Sequence, residues 1–199
     1  MNFLFIIELI GTAAFAVSGA GLGVRKKMDV FGIIILGMST AVGGGIIRDL
    51  ILGINPPAAF QKPVYALLAI AVSLLIFVFR SEINVLGDDN VPLLIMDSMG
   101  LAVFTVVGVR AGIESGNVFL EVFLGVITGV GGGVLRDIFA GETPSIFVKH
   151  FYACASLIGA AASVFLWPLN EDLAMLSGST AVLILRLAAA RFRWDLPRA

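Results

Sequence analysis

Gly43-Gly44-Gly45-Ile46-Ile47-Arg48-Asp49 recurs in this chain as Gly131-Gly132-Gly133-Val134-Leu135-Arg136-Asp137. The flanks repeat as well. Setting Glu8 against Asp97 brings Gly11 onto Gly100, Phe15 onto Phe104 and Gly19 onto Gly108. One residue of slippage later the two motifs coincide, and Gly53 then meets Gly141 and Pro56 meets Pro144. After a second slip Lys62 meets Lys149 and Tyr65 meets Tyr152. Matches in the same order on both sides of a shared motif identify an internal duplication.

The composition says where such a chain can live. It is 59% hydrophobic and only 14% charged, with mean hydropathy +1.03. A soluble domain is about half apolar and about a quarter charged, so this chain could not cover its apolar surface in water. A net charge of −1 carries no nucleic-acid signature, and the single cysteine, Cys154, excludes an intrachain disulfide. The N-terminal apolar run has no basic residue before it and contains Glu8, so it reads as a mature helix and not a signal peptide.

Seven stretches are apolar enough to be read as spans, at about 3–24, 29–50, 63–80, 91–110, 117–138, 145–167 and 173–190. The reading is an all-α integral membrane protein forming a single membrane domain over 1–199. Each copy of the duplication holds three spans, so the second copy must enter the membrane from the opposite side. That gives two inverted repeats, 3–80 and 91–167, and a seventh helix at 173–190 outside the symmetry. Arg186, near the end of that helix, is expected to snorkel to the interface. Arg25, Lys26, Lys27, Arg80, Lys149, Arg191, Arg193 and Arg198 collect on one side, against Lys62 and Arg110 on the other, joined by Arg48 if it reaches the surface. The first side is then cytoplasmic, with the N-terminus outside and the C-terminus inside.

Each glycine weakens a helix by about 1 kcal/mol relative to alanine. At membrane depth, opened backbone is tolerated only where protein or a water-filled cavity receives it. One reading therefore kinks spans two and five at 43–45 and 131–133 and lines a polar path with them. The other reading is close helix packing, which glycine also favours. The two are compatible.

Arg48, Asp49, Arg136 and Asp137 are charges at or near membrane depth and are functional candidates by default. Neighbouring residues on a helix point about 100° apart, so neither Arg-Asp pair is expected to neutralise itself. Glu8 is the expected partner of Arg48, and Asp97 that of Arg136; the alternative is snorkelling of each arginine to headgroups. Glu121 has no counterpart in the first copy, where Ile33 stands, and is either interfacial and silent or functional. His150 reads as interfacial, and no neighbouring ligands suggest a metal site. Gly19-Ala20-Gly21-Leu22-Gly23 follows no strand and is rejected as a nucleotide loop. No nucleophile-and-base set is visible, so the chain reads as a non-enzyme without a cofactor.

The doubled motif in a seven-span chain resembles the prokaryotic TRIC channels, and equally the related bacterial glycine-transporter-domain membrane proteins. The resemblance covers about residues 3–190. It implies a homotrimer in a bacterial or archaeal cell membrane, with one path inside each protomer conducting monovalent cations, chiefly potassium. It also implies that Gly43, Gly44, Gly45, Arg48 and Asp49, and Gly131, Gly132, Gly133, Arg136 and Asp137, line that path. Membrane lipid is the expected surroundings and a candidate ligand; no nucleic acid and no soluble protein partner is expected. The competing reading is a secondary transporter for a small zwitterion such as glycine, with a half-helix N-terminus holding the carboxylate. A purely structural role for the repeats is disfavoured by the cost of charges in lipid.

Overall fold

A computed structural model describes residues 3–81, 91–148 and 151–194. Among them are seven helices of fifteen residues or more: α1 (Phe3–Arg25), α2 (Val30–Ile51), α3 (Val64–Val78), α4 (Val91–Gly112), α5 (Val118–Phe139), α6 (Tyr152–Leu166) and α7 (Glu171–Phe192). Five of these, α1, α2, α4, α5 and α7, are long and apolar enough to cross a membrane. The remaining two, α3 and α6, have 15 residues each, or about 22 Å of helix, less than the roughly 30 Å hydrocarbon layer. Both are preceded by a short helical turn, Ala58–Gln61 and Ser145–Val148. The stretch read as one span over 145–167 is thus divided, and Lys149 and His150 lie outside the described residues.

Local sequence chemistry sets the helix ends. Asp29 caps α2 by accepting from the Gly32 N–H at 2.7 Å, and Asn117 caps α5 by accepting from Phe119 and Leu120 N–H. Past the far ends, Gly53 and Gly141 take the left-handed conformation, with φ of 71° and 69°. The Ile54 N–H then donates to the Asp49 carbonyl and the Glu142 N–H to the Asp137 carbonyl, both at 2.8 Å. Each is a Schellman closure, which an L side chain would strain. Gly53→Ala and Gly141→Ala are each expected to destabilise the protein by about 1 kcal/mol, seen as matching falls in the thermal midpoint of the detergent-solubilised protein.

The four helices α1, α2, α4 and α5 pack together at the centre: α1 on α2 and α4, and α5 on α2 and α4. Against them α3 covers α1 and α2, while α6 and α7 pack on each other and on α4. The core mixes small and large side chains; Ala16, Ala20, Ala69, Ala155 and Ala160 are fully buried, as are Phe15, Leu101 and Leu124. Polarity is distributed inside out. Asp49, Asp97, Asp137, Arg136 and Arg186 are buried, while Phe119 and Phe165 are 79% exposed and Phe147 74%. An apolar surface around a charged interior fits lipid and not water. The chain is a multi-pass membrane protein.

Candidate functional site

The two glycine triplets lie where α2 crosses α5. Neither opens its helix; α2 and α5 run without interruption through 43–45 and 131–133. Helical structure continues through both triplets, and contact, the packing reading, accounts for the glycines. A Cβ on Gly44 would lie 2.2 Å from the Thr128 carbonyl oxygen, and one on Gly132 would lie 2.1 Å from the Thr40 carbonyl oxygen. A Cβ on Gly131 would come 3.2 Å from Cα of Gly44. The backbones touch, which only glycine permits. Three in a row serve different neighbours. Gly43 faces Leu135, while Gly45 opens onto a cavity and Gly133 lies beside the Tyr152 hydroxyl.

The Arg-Asp pair one turn further on does neutralise itself, contrary to the expectation from helix geometry. Arg48 donates from Nε and Nη2 to Asp49 Oδ1 at 2.9 and 2.7 Å. Arg136 donates to Asp137 Oδ1 at 2.8 Å from Nε, with Nη2 also at 2.8 Å. Directions 100° apart fix the Cβ vectors only; the long, forked guanidinium bends round the helix to reach the shorter acid. Each aspartate spends its other oxygen on the chain that follows. Asp49 Oδ2 accepts from the Ala58 N–H and Asp137 Oδ2 from the Ser145 N–H, both at 2.7 Å. The Asp of each motif thus holds the short helical turn after its helix.

Beyond this shared frame the two ends differ. Arg136 reaches across to α1 and α4, donating from Nη1 to Ser18 Oγ at 2.6 Å and pairing with Asp97. The side chains of Arg136 and Asp97 are each only 8% exposed. At the other end no ion pair joins Glu8 to Arg48 among the described residues, so that expectation fails. Glu8 instead accepts from the Tyr65 hydroxyl at 2.5 Å. Arg48, held by Asp49 through Nε and Nη2, sits with Glu8, Asp49, Thr12, Gly45 and Lys62 around a cavity of about 80 Å³. That is room for several waters or a bare monovalent ion.

Three further placements depart from expectation or were missed. Arg186 does not snorkel; it is buried with its guanidinium 4.8 Å above the Tyr152 ring, a cation–π contact. Glu121 is buried in the first turn of α5. Tyr65 and Tyr152, overlooked as site residues, occupy matching places. Tyr65 binds Glu8, whereas Tyr152 faces Asp97 without completing a hydrogen bond of ordinary geometry. The sequence did hold the signal, because the two tyrosines align in the duplication, next to the aligned acids.

Chemically, one end sets the Glu8 carboxylate beside open space with Asp49 bound by Arg48 and the Ala58 N–H, and the other is closed by the buried Arg136, Asp97 and Asp137 cluster. Among the described residues no group of three or more potential metal ligands occurs.

The family model described as Glycine transporter matches the chain twice, over residues 5–81 and 94–168. The UPF0126 inner membrane protein YadS of Escherichia coli K12 is 37% identical over 198 residues, covering 98% of this chain and 95% of that protein. A solved TRIC cation channel structure is 41% identical with a TM-score of 0.90, covering 100% of this chain and 98% of that one. The TRIC trimeric intracellular cation channel orthologue from Rhodobacter sphaeroides is 34% identical, also with a TM-score of 0.90, covering 98% of this chain and 100% of that one. With family matches across both halves and relatives aligned over nearly their full length, the chain belongs to the glycine-transporter family of membrane proteins, together with the prokaryotic TRIC channels.

Proposed function

We propose that this protein is a monovalent cation channel, permeable to potassium, with the path inside each protomer lined by α2 and α5 together with α1 and α4. The observation that carries this reading is full-length likeness to TRIC cation channels at 41% and 34% identity. The cavity supports it in one respect: its wall holds the Glu8 carboxylate, bound among the described residues only to the Tyr65 hydroxyl, while Arg48 is held by Asp49; Lys62 also lines it. Arg48 and Arg136 act as counter-ions held against Asp49 and Asp137, and do not repel cations as free charges. Gly45 and Gly133 border the path, while Gly43, Gly44, Gly131 and Gly132 set the crossing of the two helices.

In this reading all seven helices traverse or enter the bilayer, as inverted repeats 3–80 and 91–167 with a seventh helix over 173–190. Two matches of one family model and the paired Schellman closures support the duplication. The N-terminus is outside, the C-terminus is cytoplasmic, and three protomers assemble, as the Rhodobacter orthologue's trimeric name suggests. Membrane lipid surrounds the assembly.

Purified protein in vesicles tests permeation against carriage. Potassium release that does not saturate with concentration, and no glycine uptake above protein-free vesicles, is expected. Saturable glycine uptake without potassium release would replace the channel by a carrier.

A further inference from the structure

An aromatic pair lies between the open cavity and the buried charge cluster. Phe15 on α1 and Phe104 on α4, matched in the duplication, stack with ring centroids 5.4 Å apart and planes 19° from parallel. Phe104 forms part of the cavity wall beside Glu8 and Thr12. Phe15 is buried, with Cε2 3.5 Å from where a Cβ on Gly132 would stand, one turn before Arg136. The order along α1 is Glu8, Thr12, Phe15, Ser18; the first two face the cavity and the last bonds Arg136. Along α4 it runs the other way, from Asp97 in the cluster to Phe104 at the cavity. An ion moving between the two polar groups along these helices meets the rings.

Each ring leans into a glycine on the opposite helix. A Cβ on Gly100 would lie 2.1 Å from Phe15 Cδ1, and one on Gly11 would lie 3.2 Å from Phe104 Cε2. Two stacked rings offer no hydrogen bond to a hydrated cation, and narrow apolar constrictions gate by excluding water. We propose that Phe15 and Phe104 form a hydrophobic seal across the cation path, which conducts when the stack separates. This rests on the channel reading above.

Potassium efflux from vesicles holding the full-length protein tests it. Phe104→Asn is expected to raise efflux by roughly five- to tenfold, the factor for about 1–1.4 kcal/mol of amide hydration drawing water into the constriction. Phe15→Asn is expected to act in the same direction. Phe104→Leu keeps the position apolar and is expected to stay near wild type. Phe104→Tyr retains the ring and adds one hydroxyl; it serves if the asparagine variants do not fold, and it too is expected to raise efflux. Unchanged or lowered efflux in a folded polar variant overturns the seal, as does a leucine variant that rises with the polar ones. A wild-type protein that passes no potassium overturns the channel reading and the seal with it.

Discussion

Gly44→Ala and Gly132→Ala are each expected to destabilise the protein by about 3 kcal/mol, and larger residues are expected to prevent accumulation of folded protein. An added methyl group would stand 2.2 or 2.1 Å from a carbonyl oxygen of the facing helix, and backbone cannot rotate away as a flexible side chain can. The sign is what makes the result informative. In an unconstrained helix the same substitution gains about 1 kcal/mol from propensity alone. Gly45→Ala is the internal control, because the nearest atom a Cβ there would meet is Arg48 Nη2 at 3.9 Å. It is expected to be neutral or slightly stabilising. Thermal unfolding of the three purified variants separates the contact from a general effect of the motif.

Arg136→Gln is expected to cost about 3–5 kcal/mol, the usual range for breaking a buried ion pair by removing one partner. The loss leaves Asp97 and Asp137, with side chains 8% and 3% exposed, without their shared guanidinium. Ser18 and the Ser145 N–H can satisfy single oxygens but supply no compensating charge. Arg136→Lys is expected to recover little, since an ammonium has no planar fork to span Asp137, Asp97 and Ser18 together. Arg48→Gln, at the matched position, is expected to cost less, about 2–3 kcal/mol, near the two charged hydrogen bonds it makes to Asp49. Arg48 is 13% exposed beside an open cavity, and the Glu8 carboxylate does not depend on it. Denaturant midpoints of the two glutamine variants, compared side by side, check the difference.

Much of this frame was legible in the sequence because it depends on composition and order. Apolar runs located the helices, and the doubled motif matched Asp97 with Glu8 and Tyr152 with Tyr65. Proximity of Asp97 to Arg136 also followed, from their places near the same ends of adjacent helices. What escaped was contact detail set by tertiary geometry. Gly44 and Gly132 look like helix weakeners until the facing carbonyls of Thr128 and Thr40 are in view. Arg48 and Arg136 reach their own neighbours because side-chain length overrides the Cβ direction. Arg186 sits near a helix end in sequence, yet the Tyr152 ring of another segment draws it inward. A residue spacing could not distinguish Glu8, held by a tyrosine beside open space, from Asp97, locked to an arginine.

Cation permeation is tested most directly by the reversal potential of single-channel currents from purified protein in a planar bilayer under a potassium chloride gradient. Discrete currents reversing near the potassium equilibrium potential are expected. Currents reversing near the chloride potential, or none from protein verified as folded and inserted, would contradict a cation path lined by Glu8 and Asp49.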